Sequence, residues 1–172
     1  MAPIDLVIGS TGAGKSTYAR KLAEQQSRVR FALDEWMVSL FGVDRPENAS
    51  FDWYSERISR CHDMMLKQLN QLQRLGVGAV LEIGLTQRQA RTAFCARLQQ
   101  SGWTVKLHVI EAPKEARWQR VKKRNAERGE TYSLHVSREM FDFVETMWEP
   151  PTPVELATLS AVVVCNDSSR SP

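Results

Sequence analysis

The stretch Gly9-Ser10-Thr11-Gly12-Ala13-Gly14-Lys15-Ser16, continued by Thr17, narrows the choice of folds more than any other part of this 172-residue chain. It fits the spacing of a phosphate-binding loop, two glycines five residues apart followed by Lys and a hydroxyl residue. Ile4 to Ile8, in front of it, is short, apolar and rich in β-branched residues, and the run from Lys15 onward carries apolar side chains at helical spacing. The reading is strand, glycine loop, helix. Glycine permits backbone angles that a Cβ forbids, so successive amides can turn inward around phosphate oxygens at the positive end of the helix. Lys15 adds a point charge for the outer phosphates, and the Ser16 hydroxyl is placed to ligate Mg²⁺. The expected ligands are therefore ATP and Mg²⁺, on residues Gly9 to Thr17.

The rest of the chain alternates in the same way. Val29 to Leu33 reads as a strand ending at Asp34, Trp36 to Phe41 as a short helix, and the breaker-rich 41–50 as a loop. Ile58, Met65, Leu66, Leu69, Leu72 and Leu75 share one face of a long helix from about Asp52, which Gly76 and Gly78 terminate. Ala79 to Ile83 and Thr104 to Ile110 read as strands, with a helix over Gln87 to Gln100 between them and another from Pro113 to about Glu127. Ser137 is placed to cap a helix over Arg138 to Trp148, which the Glu-Pro-Pro-Thr-Pro run ends, and Ala161 to Cys165 is a late strand before a frayed tail. Strands separated by helices imply a parallel sheet covered on both faces, hence an α/β fold.

Composition sets outer limits. A chain of this length with 42% hydrophobic and 25% charged residues suits one globular domain, taken here as 1–172. A net charge of +3 argues against nucleic-acid binding by bulk charge, without excluding it, and leaves room for a focused basic pocket. Cys61, Cys95 and Cys165 are odd in number and far apart, which disfavours disulfides and zinc and points to a reducing cytoplasm. No apolar run approaches the ~18 residues of a membrane span.

Candidate site residues follow from where ligands collect in open α/β sheets, outside the carboxyl ends of the strands. Asp34, closing the second strand, can hold an acceptor hydroxyl and take its proton; the same position equally suits a carboxylate in the first turn of a helix. Glu82 ends the third strand, where it can serve a Mg²⁺-bound water, bind substrate, or be satisfied by nearby backbone amides. Arg117, Arg120 and Arg124 share one helix face and could neutralise charge on a triphosphate from a lid at about 117–136, or form a solvated basic face. Arg88 and Arg91 could reach an anionic substrate or lie on the surface, and Trp36 and Trp53 are placed near the acceptor pocket. His62, His108 and His135 show no ligand spacing.

With the phosphate loop, Asp34-Glu35-Trp36, Leu81-Glu82-Ile83-Gly84, the arginine helix and Trp148-Glu149-Pro150-Pro151 in hand, the chain resembles the P-loop kinases of the AAA-type group related to zeta-toxin and chloramphenicol phosphotransferase, from about Ile4 to Glu155. The resemblance implies a three-layer P-loop sandwich with a five-stranded sheet in order 2-3-1-4-5 and a small lid. It implies Lys15 as the phosphate lysine, Ser16 as the Mg²⁺ ligand, Asp34 as the base, and Arg120 and Arg124 as lid arginines contacting phosphate or adenine. Related sequences carry Asp where this chain has Glu82. The acceptor region, about 36–60, is variable in such proteins, so the substrate does not carry over. The expected function is transfer of the γ-phosphoryl of ATP to a hydroxyl of a small molecule. A polynucleotide 5′-hydroxyl kinase and a nucleotide-dependent switch without transfer activity stand as alternatives.

Overall fold

Asp5 is the one charged residue in an otherwise apolar first strand, and its surroundings explain how the sheet is built. The computed structural model describes residues 3–129 and 135–166. In chain order the elements are β1 (Pro3–Ile8), α1 (Lys15–Gln25), β2 (Val29–Ala32), α2 (Leu33–Phe41), α3 (Phe51–Arg74), β3 (Ala79–Glu82), α4 (Arg88–Gln100), β4 (Thr104–Glu111), α5 (Lys114–Glu127), α6 (Arg138–Thr146), α7 (Pro153–Thr158) and β5 (Val162–Cys165). The five strands form one sheet in the order β2-β3-β1-β4-β5, every neighbouring pair parallel. This is the expected fold class and strand order.

A buried parallel strand sends alternate side chains to opposite faces, and β1 does so. Ile4, Leu6 and Ile8 join a large core with Met65 and Leu69 of α3 and Phe94 and Leu98 of α4. Val7 faces the other way, packing with Ala19, Leu22 and Ala23 of α1, Val80 and Ile110. A third, smaller cluster of Val121, Val136 and Phe141, with Trp118 against it, ties α5 to α6. No described helix is long and apolar enough to cross a membrane.

Beyond shifts of a residue or two at element ends, the structure differs from the sequence reading at the start of α2 and after α6. The second strand stops at Ala32, because Leu33 already belongs to α2, whose first turn carries Asp34 and Glu35. Carboxylates there complement the positive helix end. The proline-rich segment after α6 is not only a breaker: Pro153–Thr158 forms α7. Thr152 and Glu155 build a reciprocal capping box around a proline in the first turn, a pattern that was present in the sequence as Thr-Pro-Val-Glu. Ser137 caps α6 as expected, its hydroxyl accepting from the Met140 amide at 3.2 Å. The C-terminal tail lies outside the described residues.

Asp5 is accommodated by a buried polar chain on the α1 side of the sheet. His108 Nε2 donates to Asp5 Oδ1 at 2.8 Å, the Tyr18 hydroxyl bonds His108 Nδ1 at 2.8 Å, and Arg28 pairs with Asp5 Oδ2. Each buried group thus has a partner, as the low-dielectric interior requires. Burial pulls His108 down to about 4, with Lys106 and Arg28 adding to the fall, so the ring is neutral in the folded protein at neutral pH. A base whose folded pKa lies below its unfolded value near 6.5 binds fewer protons when folded; its contribution is complete above that pH and is lost as pH falls toward 4. The melting temperature should therefore drop between pH 6.5 and 4. In His108→Gln the drop across that window should be smaller by roughly 5 °C, read by circular dichroism; an unchanged pH slope would remove His108 from this account.

Candidate active site

β1 runs in the middle of the sheet and delivers its carboxyl end directly into the glycine loop. Ala13 donates its amide to the Ser10 carbonyl at 3.2 Å, folding the loop back on itself, and α1 then starts with no side-chain cap on its first amides. Gly14 holds φ +102°, and a Cβ added at Gly12 would lie 2.5 Å from the Arg117 carbonyl. Both positions therefore require glycine. Lys15 folds over this loop, its ammonium donating to the Ser10 carbonyl at 3.1 Å. Burial lowers the Lys15 pKa; Asp34 and Glu82 act to raise it, while Arg124 and Arg117 lower it further. Uncapped amides and the cations Arg117 and Arg124 around a half-buried lysine make a positive cluster complementary to an anion.

The acidic residue ending β3 is tied to the first turn of α1. The Ser16 hydroxyl donates to Glu82 Oε1 at 2.5 Å, and Arg30 Nη2 donates to Glu82 Oε2 at 2.9 Å. Glu82 is 9% exposed, so its charge needs these partners, and they come from side chains rather than from backbone amides. Arg30 Nη2 also reaches Glu35 Oε1 at 2.8 Å, linking the third strand to the first turn of α2. Burial alone would lower the Arg30 pKa, but the hydrogen bonds to Glu35 and Glu82 outweigh it and the net shift is upward. A serine that gives its proton to a carboxylate keeps its oxygen lone pairs for a cation, so this donor set fits a hard divalent ion with Glu82 orienting the ligand. Sequence reasoning missed Arg30; its signal was a cation inside an apolar strand two residues from the carboxyl end.

Asp34 is exposed, at the second residue of α2 and within the electrostatic field of Lys15. Asp34 thus sits where the first-turn helix reading puts it, and it also lies in the lysine's field. Trp36 packs its ring 5.9 Å from Phe31 and is half-buried. In Trp53 the ring carries the Arg57 guanidinium at 3.9 Å, and Arg57 Nη1 donates to the Trp53 carbonyl at 3.1 Å.

The arginines are the group that the structure redistributes most. Arg91 is 1% exposed, its Nε donating to Glu155 Oε1 at 3.1 Å and its Nη1 to the carbonyls of Leu85 and Thr86 at 3.3 and 2.9 Å. The expectation that Arg91 binds substrate is corrected: it is an internal tie between α4 and α7, with no surface left for a ligand. Burial would raise the Glu155 pKa, yet Arg91 and the Thr152 amide outweigh it and hold the carboxyl below its ordinary range. Arg88 has a side chain 55% exposed, its Nε lying 3.7 Å from Glu155 Oε2, and its amide donates to Glu149 Oε2 at 2.7 Å.

The expected lid segment, 117–136, is described only in part. Residues up to Glu127 of the 117–136 segment belong to the regular helix α5, and 130–134 lie outside the described residues. Arg117 makes a two-pronged pair with Glu145 of α6 at 2.8 and 2.6 Å and gives Nη1 to the Thr11 carbonyl at 3.3 Å. Arg120 reaches the Ala13 carbonyl at 3.4 Å and the Asn166 carbonyl at 2.7 Å. These two side chains grip the loop's carbonyl oxygens. Arg124, one turn further on, lies within the field of Lys15.

A family profile described as an AAA domain matches residues 5–147. The chain belongs to this AAA-domain family. Together with the sheet order, that makes it a P-loop kinase-like domain. A shikimate kinase of Xanthomonas campestris pv. campestris (strain 8004) is 34% identical over 113 residues, covering 63% of this chain and 57% of that protein. The match thus spans little more than half of the relative's length. A sugar kinase structure from Janibacter sp. HTCC2649 superposes with a TM-score of 0.68 at 15% identity, covering 100% of this chain and 88% of that one. Chaetomium thermophilum Kti12, solved in complex with ADP-AlF3, gives 0.69 at 16% identity, covering 95% and 89%. At such identities the structural likeness shows the fold of this AAA-domain chain.

The reassignment of Arg91 has a measurable consequence. Removing one member of a buried ion pair leaves the other charge uncompensated, a loss of about 3 kcal/mol. Arg91→Met should lower unfolding stability by that order in urea titrations while leaving nucleotide affinity unchanged. Weaker substrate binding at wild-type stability would restore Arg91 to the site.

Proposed function

We propose that the chain is an ATP-dependent phosphotransferase that moves the γ-phosphoryl group of ATP to a hydroxyl of a small-molecule acceptor, with residues 1–172 as a single kinase domain. The observation that carries this reading is the convergence of the Ser16–Glu82 pair, the half-buried Lys15 and the exposed Asp34 at the carboxyl ends of β1, β3 and β2. A switch needs the first two; a carboxylate open to a second substrate beside them is what transfer adds.

In this reading the amides of Gly9 to Thr17 and the Lys15 ammonium bind the phosphate tail and orient it for in-line displacement. Ser16 and, through it, Glu82 hold Mg²⁺, which when bound neutralises charge on the phosphates. Asp34 accepts the acceptor's hydroxyl proton as the oxygen forms its bond to the γ-phosphorus and the bond to the bridging oxygen of ADP breaks. Arg124 faces the same charge from α5. The acceptor lies over the 36–60 region, beside Trp36, Trp53 and Arg88. The name of the 34% identical relative, shikimate kinase, supports a small-molecule acceptor over a nucleic-acid end.

Lys15→Ala should abolish ATP binding measured by calorimetry. Asp34→Ala should bind ATP with wild-type affinity yet lose transfer in a labelled-ATP screen of metabolites; normal turnover of a true acceptor by that variant would refute the assigned base. Glu82→Gln should raise the Mg²⁺ concentration needed for half-maximal ATP binding by roughly tenfold, and an unchanged requirement would detach Glu82 from the metal.

A further inference from the structure

A planar trans peptide points its carbonyl and its N–H in opposite directions, so a group that captures the carbonyl also aims the amide. Two peptide units of the glycine loop are captured in this way. The Thr11 carbonyl, which shares its plane with the Gly12 amide, accepts from Arg117 Nη1 at 3.3 Å. The Ala13 carbonyl, which shares its plane with the Gly14 amide, accepts from Asn166 Nδ2 at 2.8 Å and from Arg120 Nη1 at 3.4 Å.

Asn166 is itself held at both ends of its backbone. Its amide donates to the Glu111 carbonyl at 2.7 Å, at the end of β4, and its carbonyl accepts from Arg120 Nη2 at 2.7 Å. The parallel pairing of β4 with β5, Glu111 opposite Cys165, brings this residue to the loop from more than 150 positions away in sequence. The fit is close: a Cβ on Gly14 would run into the Asn166 side-chain amide. Asn166 is neutral, so it can stand against the back of an anion site without competing for the anion. The cationic partners on the same carbonyls polarise the peptides further, which strengthens the amides as donors on the other side.

We propose that Asn166 is a positioning residue for phosphate binding: with Arg117 and Arg120 it holds the loop carbonyls outward and so aims the Gly12 and Gly14 amides into the cradle. This role rests on the proposed nucleotide-phosphate function of the loop. It separates the arginines into two jobs, since Arg117 and Arg120 act from behind the loop through the peptide plane.

The test uses the full chain as wild type, Asn166→Ala and Asn166→Gln, each titrated with inorganic pyrophosphate and Mg²⁺ by calorimetry. The ¹⁵N–¹H resonances of Gly12 and Gly14 are recorded before any ligand is added. Asn166→Ala should weaken pyrophosphate binding about tenfold, move the Gly14 resonance, and keep the melting temperature within a few degrees. Asn166→Gln, which retains the amide donor, should recover part of the affinity. Wild-type pyrophosphate affinity in Asn166→Ala, or an unmoved Gly14 resonance, overturns the positioning role, because a purely structural contact would change melting without re-aiming that amide. If Asn166→Ala does not fold, Arg120→Lys, which keeps the charge and loses the planar fork, is read in the same two ways. Failure of the wild-type chain to bind pyrophosphate or ADP overturns the proposed function and this role with it, whereas wild-type binding with a silent Asn166→Ala overturns this role alone.

Discussion

Concentrating positive potential inside a folded protein is costly, and the architecture around the glycine loop is organised by that cost. The first amides of α1 carry no side-chain cap, Lys15 lies half-buried above them, and Arg117 and Arg124 add to the same field. Such an arrangement persists because carboxylates stand within reach and because part of the cationic charge is directed onto carbonyl oxygens. The parallel sheet supplies the geometry. With β1 central and flanked by β3 and β4, the loop, Glu82 and the end of β4 meet at one edge of the molecule.

The two carboxylates near Lys15 differ in environment, and the proposed division of work between them rests on that difference. Both oxygens of Glu82 are engaged, one by the Ser16 hydroxyl and one by Arg30, and the residue is buried. Such a group orients its neighbours. Asp34 sits in the open first turn of α2, where an incoming molecule can reach it. A carboxylate that is to accept a proton from a substrate must be reachable, and a carboxylate that is to steady a metal ligand must be fixed. Arg30 couples the two regions by touching Glu82 and Glu35 with one nitrogen.

The polar chain from Tyr18 through His108 and Asp5 to Arg28 lies on the α1 side of the sheet. It joins α1, β1, β4 and the turn after α1, so it secures the helix whose first turn forms the phosphate site. A buried aspartate in a central strand is tolerable because each of its oxygens meets a donor.

Much of the fold was legible along the chain. The strands were readable as short apolar runs, and their alternation with helices already implied a parallel sheet; the motif Gly9 to Thr17 carries the spacing of a phosphate loop. The Ser137 cap was readable for the same reason, since capping is local chemistry between residues three apart. The α7 capping box was equally local and went unread because the surrounding prolines read as breakers. Arginines resisted such reading: Arg91, Arg117 and Arg120 carry the same side chain on exposed-looking helices. Their roles depend on whether Glu155, Glu145 or the loop carbonyls lie opposite. The sequence by itself therefore determined the elements and the phosphate loop, because backbone conformation and periodicity are set by near neighbours. Only the tertiary structure decided which charges meet, including Asn166 against Ala13, because parallel strand order brings together residues that no local pattern relates.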